Sequence, residues 1–148
     1  VCVLGGGRSE PVTSTRTLFE HPRTVQSALI SGCKNVAPAV MESETTVLVP
    51  DWNARLICEP ADGRCVTHAG VRAHYIRPAA AEEPNALLCR VEDAAEDVFS
   101  CVLTLRPKGA AGTLRVELAK ETAKPFPVGA EAFFTLPKSA VMLLSERE

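Results

Sequence analysis

From residue 87 to the end of the chain, apolar and polar side chains alternate in short runs closed by turn residues. This period of two limits the possible folds more than any other feature. Thr113 to Ala119 is the cleanest run, with Leu114, Val116 and Leu118 on one face and Thr113, Arg115 and Glu117 on the other, the pattern of a strand packed on one side and wet on the other. Leu87 to Val91 leads into an acidic bend, Glu92 to Asp97, and Val98 to Arg106 follows with Phe99, Cys101, Leu103 and Leu105 on one face. Pro107 to Gly112 turns the chain, Pro127-Val128-Gly129 turns it again into Glu131 to Leu136, and Ala140 to Leu144 closes. Short antiparallel strands at this spacing predict a small closed barrel.

The middle of the chain reads as weaker β structure. Thr46 to Val49, Ala54 to Cys58 and Val71 to Ile76 are β-type runs, cut by Pro50-Asp51, by Pro60 to Gly63 and by Arg77-Pro78; residues 79 to 85 read as a surface connection. No internal repeat is visible, and the two β stretches read as halves of one barrel. Residues 1 to 32 differ from both. Thr13 or Ser14 is placed to cap a turn that runs to Glu20 and stops at His21-Pro22. Thr24 to Ser31 puts Val25, Ala28 and Leu29 on one helical face, with Gly32 placed to take a positive φ after it. Before these, Val1 to Leu4 reads as a strand, Gly5-Gly6-Gly7 as its turn and Arg8 to Val12 as its return. A chain that opens inside a hairpin with no polar lead-in is expected to be the end of a larger unit.

Composition excludes several classes. With 148 residues there is material for one real core or two small ones. Only 5% of residues are aromatic and 11 are proline, which favours short elements joined by turns. A net charge of −2 with no clustered Lys/Arg gives no nucleic-acid footprint. No run approaches the ~20 apolar residues of a membrane helix. Six cysteines could form disulfides in a secreted protein, but there is no secretion signal, and Cys89 and Cys101 sit inside apolar strand-like runs. The expectation is a reducing, cytosolic setting with buried thiols.

The motifs that would carry catalysis are missing. Gly5-Gly6-Gly7-Arg8 lacks the Lys and Ser/Thr of a phosphate-binding loop and reads as a turn. Cys58, Cys65 and His68 do not have zinc-ligand spacing, so His68 reads as a loop residue and His74 as a strand residue. The four carboxylates from Glu92 to Asp97 read as a solvated bend, and Trp52, after Pro50-Asp51, as a half-buried turn anchor.

Two resemblances add to this reading. The run from Gly7 to Asn35 (GRSEPVTSTRTLFEHPRTVQSALISGCKN) resembles the last part of an ABC-importer ATPase domain. The stretch from Asn35 to Glu146 resembles the TOBE domain, the OB-like barrel that follows the ATPase domain in many importers. The residues that carry this second resemblance are Gly70 to Ile76 (GVRAHYI), Pro127 to Ala132 (PVGAEA) and Leu136 to Leu144 (LPKSAVMLL). Cys33-Lys34-Asn35, Arg72-Ala73-His74 and Glu96 to Ser100 look most like the molybdate/tungstate type, whose Mop-type barrels bind the oxyanion. The chain lacks that pattern's Ser-Ala-Arg-Asn entry and carries Pro137 at a position usually Ile or Val.

The resemblance implies a mainly β chain: residues 1–32 as the tail of an ATPase domain and 33–148 as a TOBE/OB-like regulatory barrel. It implies Lys34, Asn35, Lys138 and Ser139 as oxyanion-binding residues, with Lys138-Ser139 read equally well as an exposed turn. It further implies a part that is not itself an enzyme, with ATP and Mg in the absent ATPase half and molybdate or tungstate as ligand. The expected partners are a second copy, the parent ATPase domain and membrane permease subunits, at a cytoplasmic location peripheral to the inner membrane. The alternative is a ligand-free structural module of an importer for sulfate, iron, polyamine or sugar.

Overall fold

The computed structural model describes residues 4, 5, 8, 9 and 22–146. A short antiparallel pair, β1 (Leu4–Gly5) and β2 (Arg8–Ser9), stands where the strand and its return are expected. The expected turn from Thr13 or Ser14 to Glu20, its stop at His21, and Cys2 lie outside the described residues. Helix α1 (Val25–Ile30) begins at Thr24, whose hydroxyl accepts from the Ser27 N–H while the Ser27 hydroxyl accepts from the Thr24 N–H. This reciprocal cap satisfies donors that the first turn leaves open. Gly32 takes φ +94 after the helix, as expected. The predicted apolar face is only partly buried: Ala28 packs with Cys33 and Leu144, with Val25 against them, whereas Leu29 is 51% exposed. A helix of six residues is under two turns long and cannot carry a full stripe. It lies on the barrel through a parallel bridge between Thr24 and Ser145, with Val25 N–H donating to Ser145 O (2.9 Å) and Ser145 N–H to Arg23 O (3.0 Å).

The remainder is mainly β, an OB-like barrel architecture, and it contains a duplication that the sequence hides. The first unit comprises β3 (Asn35–Pro38), β4 (Val40–Ser43), β5 (Thr46–Val49), β6 (Ala54–Ile57) and β7 (His68–Val71). Its terminal strand is β8 (Arg77–Pro78). The second unit comprises β9 (Ala86–Glu96), β10 (Ser100–Pro107), β11 (Leu114–Ala119), the short helix α2 (Lys120–Ala123), β12 (Glu131–Thr135) and the terminal β13 (Met142–Leu144). In both, the first strand pairs antiparallel with the last long one, β3 with β7 and β9 with β12. In both, a single 3-10 turn (Ala73–Tyr75 or Lys138–Ala140) precedes the terminal strand. The terminal strands are exchanged: β8 pairs with β12, and β13 pairs with β7. The second unit with β8 forms a near-closed five-stranded sheet, β11-β10-β9-β12-β8.

Two asparagines lock the units together in the same way. Asn35 Nδ2 donates to Val71 O (3.0 Å) and Arg115 O (2.8 Å), and its Oδ1 accepts from Arg115 N–H (2.7 Å). Asn85 Nδ2 donates to Leu136 O (2.9 Å) and Ile57 O (2.8 Å), and its Oδ1 accepts from Ile57 N–H (2.7 Å). Each amide thus satisfies both backbone groups of one residue in the opposite unit. One apolar core runs through both, from Val49, Trp52, Leu56 and Val71 to Val91, Leu103, Leu114 and Phe134.

Several expectations are met and several are corrected. Leu114, Val116 and Leu118 are buried and Arg115 and Glu117 exposed, as the alternation predicts. Val71 to Ile76 is not one strand. Val71 and Arg72 are both buried, and His74 is exposed although it would share a strand face with the buried Arg72 and Ile76, which breaks the alternation of a strand. The Arg72 guanidinium turns inward to Ser31, donating to its carbonyl (3.0 Å) and hydroxyl (2.8 Å). His74 therefore lies in a 3-10 turn rather than a strand, and His68 opens β7 rather than lying in a loop. The closing strand starts at Met142, because Ala140 still belongs to the preceding turn. Trp52 is buried, 2% exposed, rather than half-buried. The acidic segment is strand as far as Glu96. The turn is Asp97 to Phe99, closed by Asp97 N–H to Ser100 O (2.8 Å) and by the Asp97 carboxylate accepting from Val98 N–H (2.7 Å). Phe99 is consequently a turn residue, 87% exposed, and not on the core face. The five described cysteines are unpaired; Cys33, Cys58, Cys89 and Cys101 are buried, but Cys65 is exposed.

Candidate anion site

The four residues singled out by resemblance do not come together. Lys34 is exposed at the entry to β3, while Asn35 is 3% exposed with its amide committed to the clamp between units. Lys138 and Ser139 are exposed in the turn that follows Pro137. β7 lies between β3, where Asn35 sits, and β13, which the Lys138–Ala140 turn precedes, so the two pairs stand on opposite sides of β7. Lys138 instead sits near Cys58: burial and the neighbouring Glu59 push that thiol's pKa up, and the Lys138 charge pulls it back.

Ser139 lines a groove of about 300 Å³ that contains two arginines, Arg23 and Arg64. The groove continues past them into a second lobe of about 250 Å³, walled by Val66, Leu143 and Leu144 and bordered by Ser145. The two lobes differ in charge. Glu59 and Asp62 line the Ser139 lobe, whereas no carboxylate lines the second. Neither Glu59 nor Asp62 is ion-paired with Arg23 or Arg64.

Local structure presents Arg64. Asp62 (φ +54) and Gly63 (φ +74) turn the chain sharply between β6 and β7, and the Glu44 carboxylate accepts from Asp62 N–H at 2.7 Å, fixing the turn. Arg64 Nε then donates to Ala61 O (3.3 Å) and Nη1 to Leu143 O (3.2 Å). Two of its five N–H groups are thereby used to set the plane of the guanidinium, and three remain. Arg23 comes from the other side of the Thr24–Ser145 bridge; its guanidinium has no hydrogen bond or ion pair among the described residues. Two planar cations against an apolar wall suit a compact anion that accepts several charge-assisted hydrogen bonds.

Nothing local in the sequence marks this pair. Arg23 and Arg64 lie 41 positions apart, and only the docking of α1 against β13 joins them. Among the described residues, no group of three His, Cys, Asp or Glu side chains is placed to hold a metal ion, and no helix is long and apolar enough to cross a membrane.

No protein-family model matches the chain, and no curated protein matches it. A solved structure similar in fold is the cytoplasmic molybdate-binding protein ModG with molybdate bound, at a TM-score of 0.61 and 16% sequence identity. The likeness covers 76% of this chain and 96% of ModG. At that identity it establishes the fold alone: an OB-like β architecture similar to that of ModG.

Proposed function

We propose that the chain is an oxyanion-binding regulatory part of an ABC importer's ATP-binding subunit, with residues 1–32 as the tail of the ATPase domain and 33–148 as the regulatory barrel. The observation that carries this reading is the convergence of Arg23 and Arg64 on one groove of a fold like that of ModG. The ligand is a tetrahedral oxyanion of the molybdate or tungstate class. It sits between the two guanidiniums, with Ser139 at the rim, Lys138 next to it in the same turn, and Lys34 and Asn35 outside the site. The chain performs no catalysis in this reading, and ATP and Mg belong to the ATPase half. The assembly is a pair of such subunits on membrane permease subunits, at the cytoplasmic face.

The position of the groove supplies a mechanism. Arg23 belongs to the proposed tail and Arg64 to the barrel, so an anion bound to both ties the tail to the barrel. An anion that binds one tail–barrel arrangement more tightly than another shifts the population toward it, by its differential affinity alone. Oxyanion supply would thus bias the motor through the same seam that α1 makes with β13.

Calorimetric titration with molybdate, tungstate and sulfate tests the reading. Binding of molybdate or tungstate is expected, and Arg64→Ala should weaken it about tenfold, the loss of one or two charge-assisted hydrogen bonds. Lys138→Ala should weaken it less. Absence of binding by every anion would leave only the ligand-free structural module.

A further inference from the structure

The two units differ most at one hairpin. In the first unit, β4 and β5 are joined at Glu44-Thr45 and span four residues each. In the second, β9 and β10 are eleven and eight residues long, and the hairpin projects as an arm. Every residue from Glu92 to Phe99 is exposed, and its tip bears Val98 (71% exposed) and Phe99 (87% exposed). Strand β12 pairs with β9 only from Ala86 to Arg90, so the outer edge of β9 from Glu92 to Glu96 carries no partner strand among the described residues. The fold does not require this extension, since the first unit closes without it, and a bare Phe beside an open strand edge is a recognised liability.

The charges around the tip say what covers it. One flank is acidic: Glu96 and Asp97 lie beside Val98-Phe99, and Asp93 and Glu92 lie further down, Glu92 being paired with Arg106 at 2.7 Å. The other flank offers a lysine. Ser100 stands opposite Ala119, which places α2 at the same end of the barrel, with Lys120 exposed and without an ion pair among the described residues, beside the Lys124–Glu121 pair (2.9 Å). An apolar centre with carboxylates on one side and an available lysine on the other is self-complementary under a two-fold rotation, because each copy's Glu96 and Asp97 then meet the other's Lys120. Direct edge-to-edge pairing of two arms would instead set carboxylates against carboxylates.

We propose that the Val98–Phe99 arm is a homodimer surface. The tips of two chains pack on each other, and Glu96 and Asp97 of each chain face Lys120 of the other. This gives the two-copy assembly proposed above a definite contact, and it does not depend on the anion groove.

Sedimentation equilibrium of the 148-residue chain tests it. The chain should dimerise, and Val98→Ser with Phe99→Ser should weaken the dimer at least a hundredfold while leaving the thermal midpoint unchanged at concentrations where the parent is monomeric, because both side chains are already in water in the monomer. Glu96→Lys or Lys120→Glu alone should weaken it several-fold, and the two together should restore it. A chain that stays monomeric at all concentrations, or a double-serine variant that dimerises as well as the parent, overturns the proposal. Molybdate binding by the double-serine variant separates the two ideas: it should persist if the groove reading holds, whatever the fate of the dimer.

Discussion

The two β units share a frame and differ at their ends. Each opens on an asparagine whose amide bonds both backbone groups of a residue in the other unit, and each lends its terminal strand to its neighbour. Beyond this frame the correspondence lapses. The first unit's 3-10 turn is Ala-His-Tyr and the second's is Lys-Ser-Ala. The first unit's hairpin is short, and the second's is an arm with an exposed Phe. Only the second unit's turn borders the arginine groove. The comparison separates what the fold requires, which is found twice, from what is present once and is available for function: the Arg23–Arg64 groove and the Val98–Phe99 arm.

Breaking the frame should cost most. Asn35→Ala would leave the Arg115 N–H and the carbonyls of Arg115 and Val71 without partners in a buried setting. A loss of about 3 kcal/mol is expected by urea denaturation, from unsatisfied groups at about 1–3 kcal/mol each with partial relaxation. Asn85 makes the same bonds from a half-buried position, so water can replace part of what Asn85→Ala removes, and about half that loss is expected. Equal losses would show that burial does not distinguish the two clamps.

A second test carries a residue from one unit into the other. Gly70 and Thr135 hold corresponding places, Gly70 opposite Val36 and Thr135 opposite Ala86. Thr135 has room, and its hydroxyl donates to Pro84 O at 2.7 Å. A Cβ at Gly70 would meet Asn35 O, Leu144 Cδ1 and Met142 Cε, each at 3.2 Å. Gly70→Thr should therefore cost about 2 kcal/mol through overpacking, measured by the same denaturation curves; a neutral result would mean that β13 yields more readily than this packing implies.

Alkaline pH sharpens the comparison of the cores. Burial pushes the Cys89 thiol up to about 12 from an ordinary 9.0, and burial raises Cys33 and Cys58 as well. A folded-state value above the unfolded one gives a contribution that is complete below about pH 9. It is lost as pH rises toward 12, because the unfolded chain releases its proton first, at up to about 1.4 kcal/mol per pH unit for each thiol. Between pH 9 and 11 the melting temperature should fall, and less steeply in Cys89→Ala than in the parent relative to their values at pH 8. The smallest effect is expected at the arm, where Phe99→Ser should change stability by less than about 0.5 kcal/mol.

The parts of the molecule legible in the sequence are those that obey a local period. Leu114, Val116 and Leu118 announce their strand because each alternate residue meets the core, and Thr24 and Gly32 mark α1 because caps are local chemistry. The duplication was hidden because its two units share a backbone path and one asparagine rather than a run of residues. Asn85 reads as loop polarity until Ile57 and Leu136 are seen around it. Arg72 and Ile76 broke the strand expected there because a buried guanidinium reaching Ser31 is a tertiary event. The groove was illegible for the same reason: it exists only where Arg23, from before α1, meets a turn between β6 and β7. The family resemblance named Ser139, which lines the groove, and named neither arginine.

The central claim is that the duplicated frame carries a single oxyanion site. Equilibrium dialysis of the chain against radiolabelled molybdate, with the Arg23→Ala, Arg64→Ala double variant in parallel, tests it most directly. One molybdate per chain is expected for the parent, and loss of that binding in the double variant, with its melting curve retained. Two molybdates per chain, or one that survives the loss of both arginines, would contradict it.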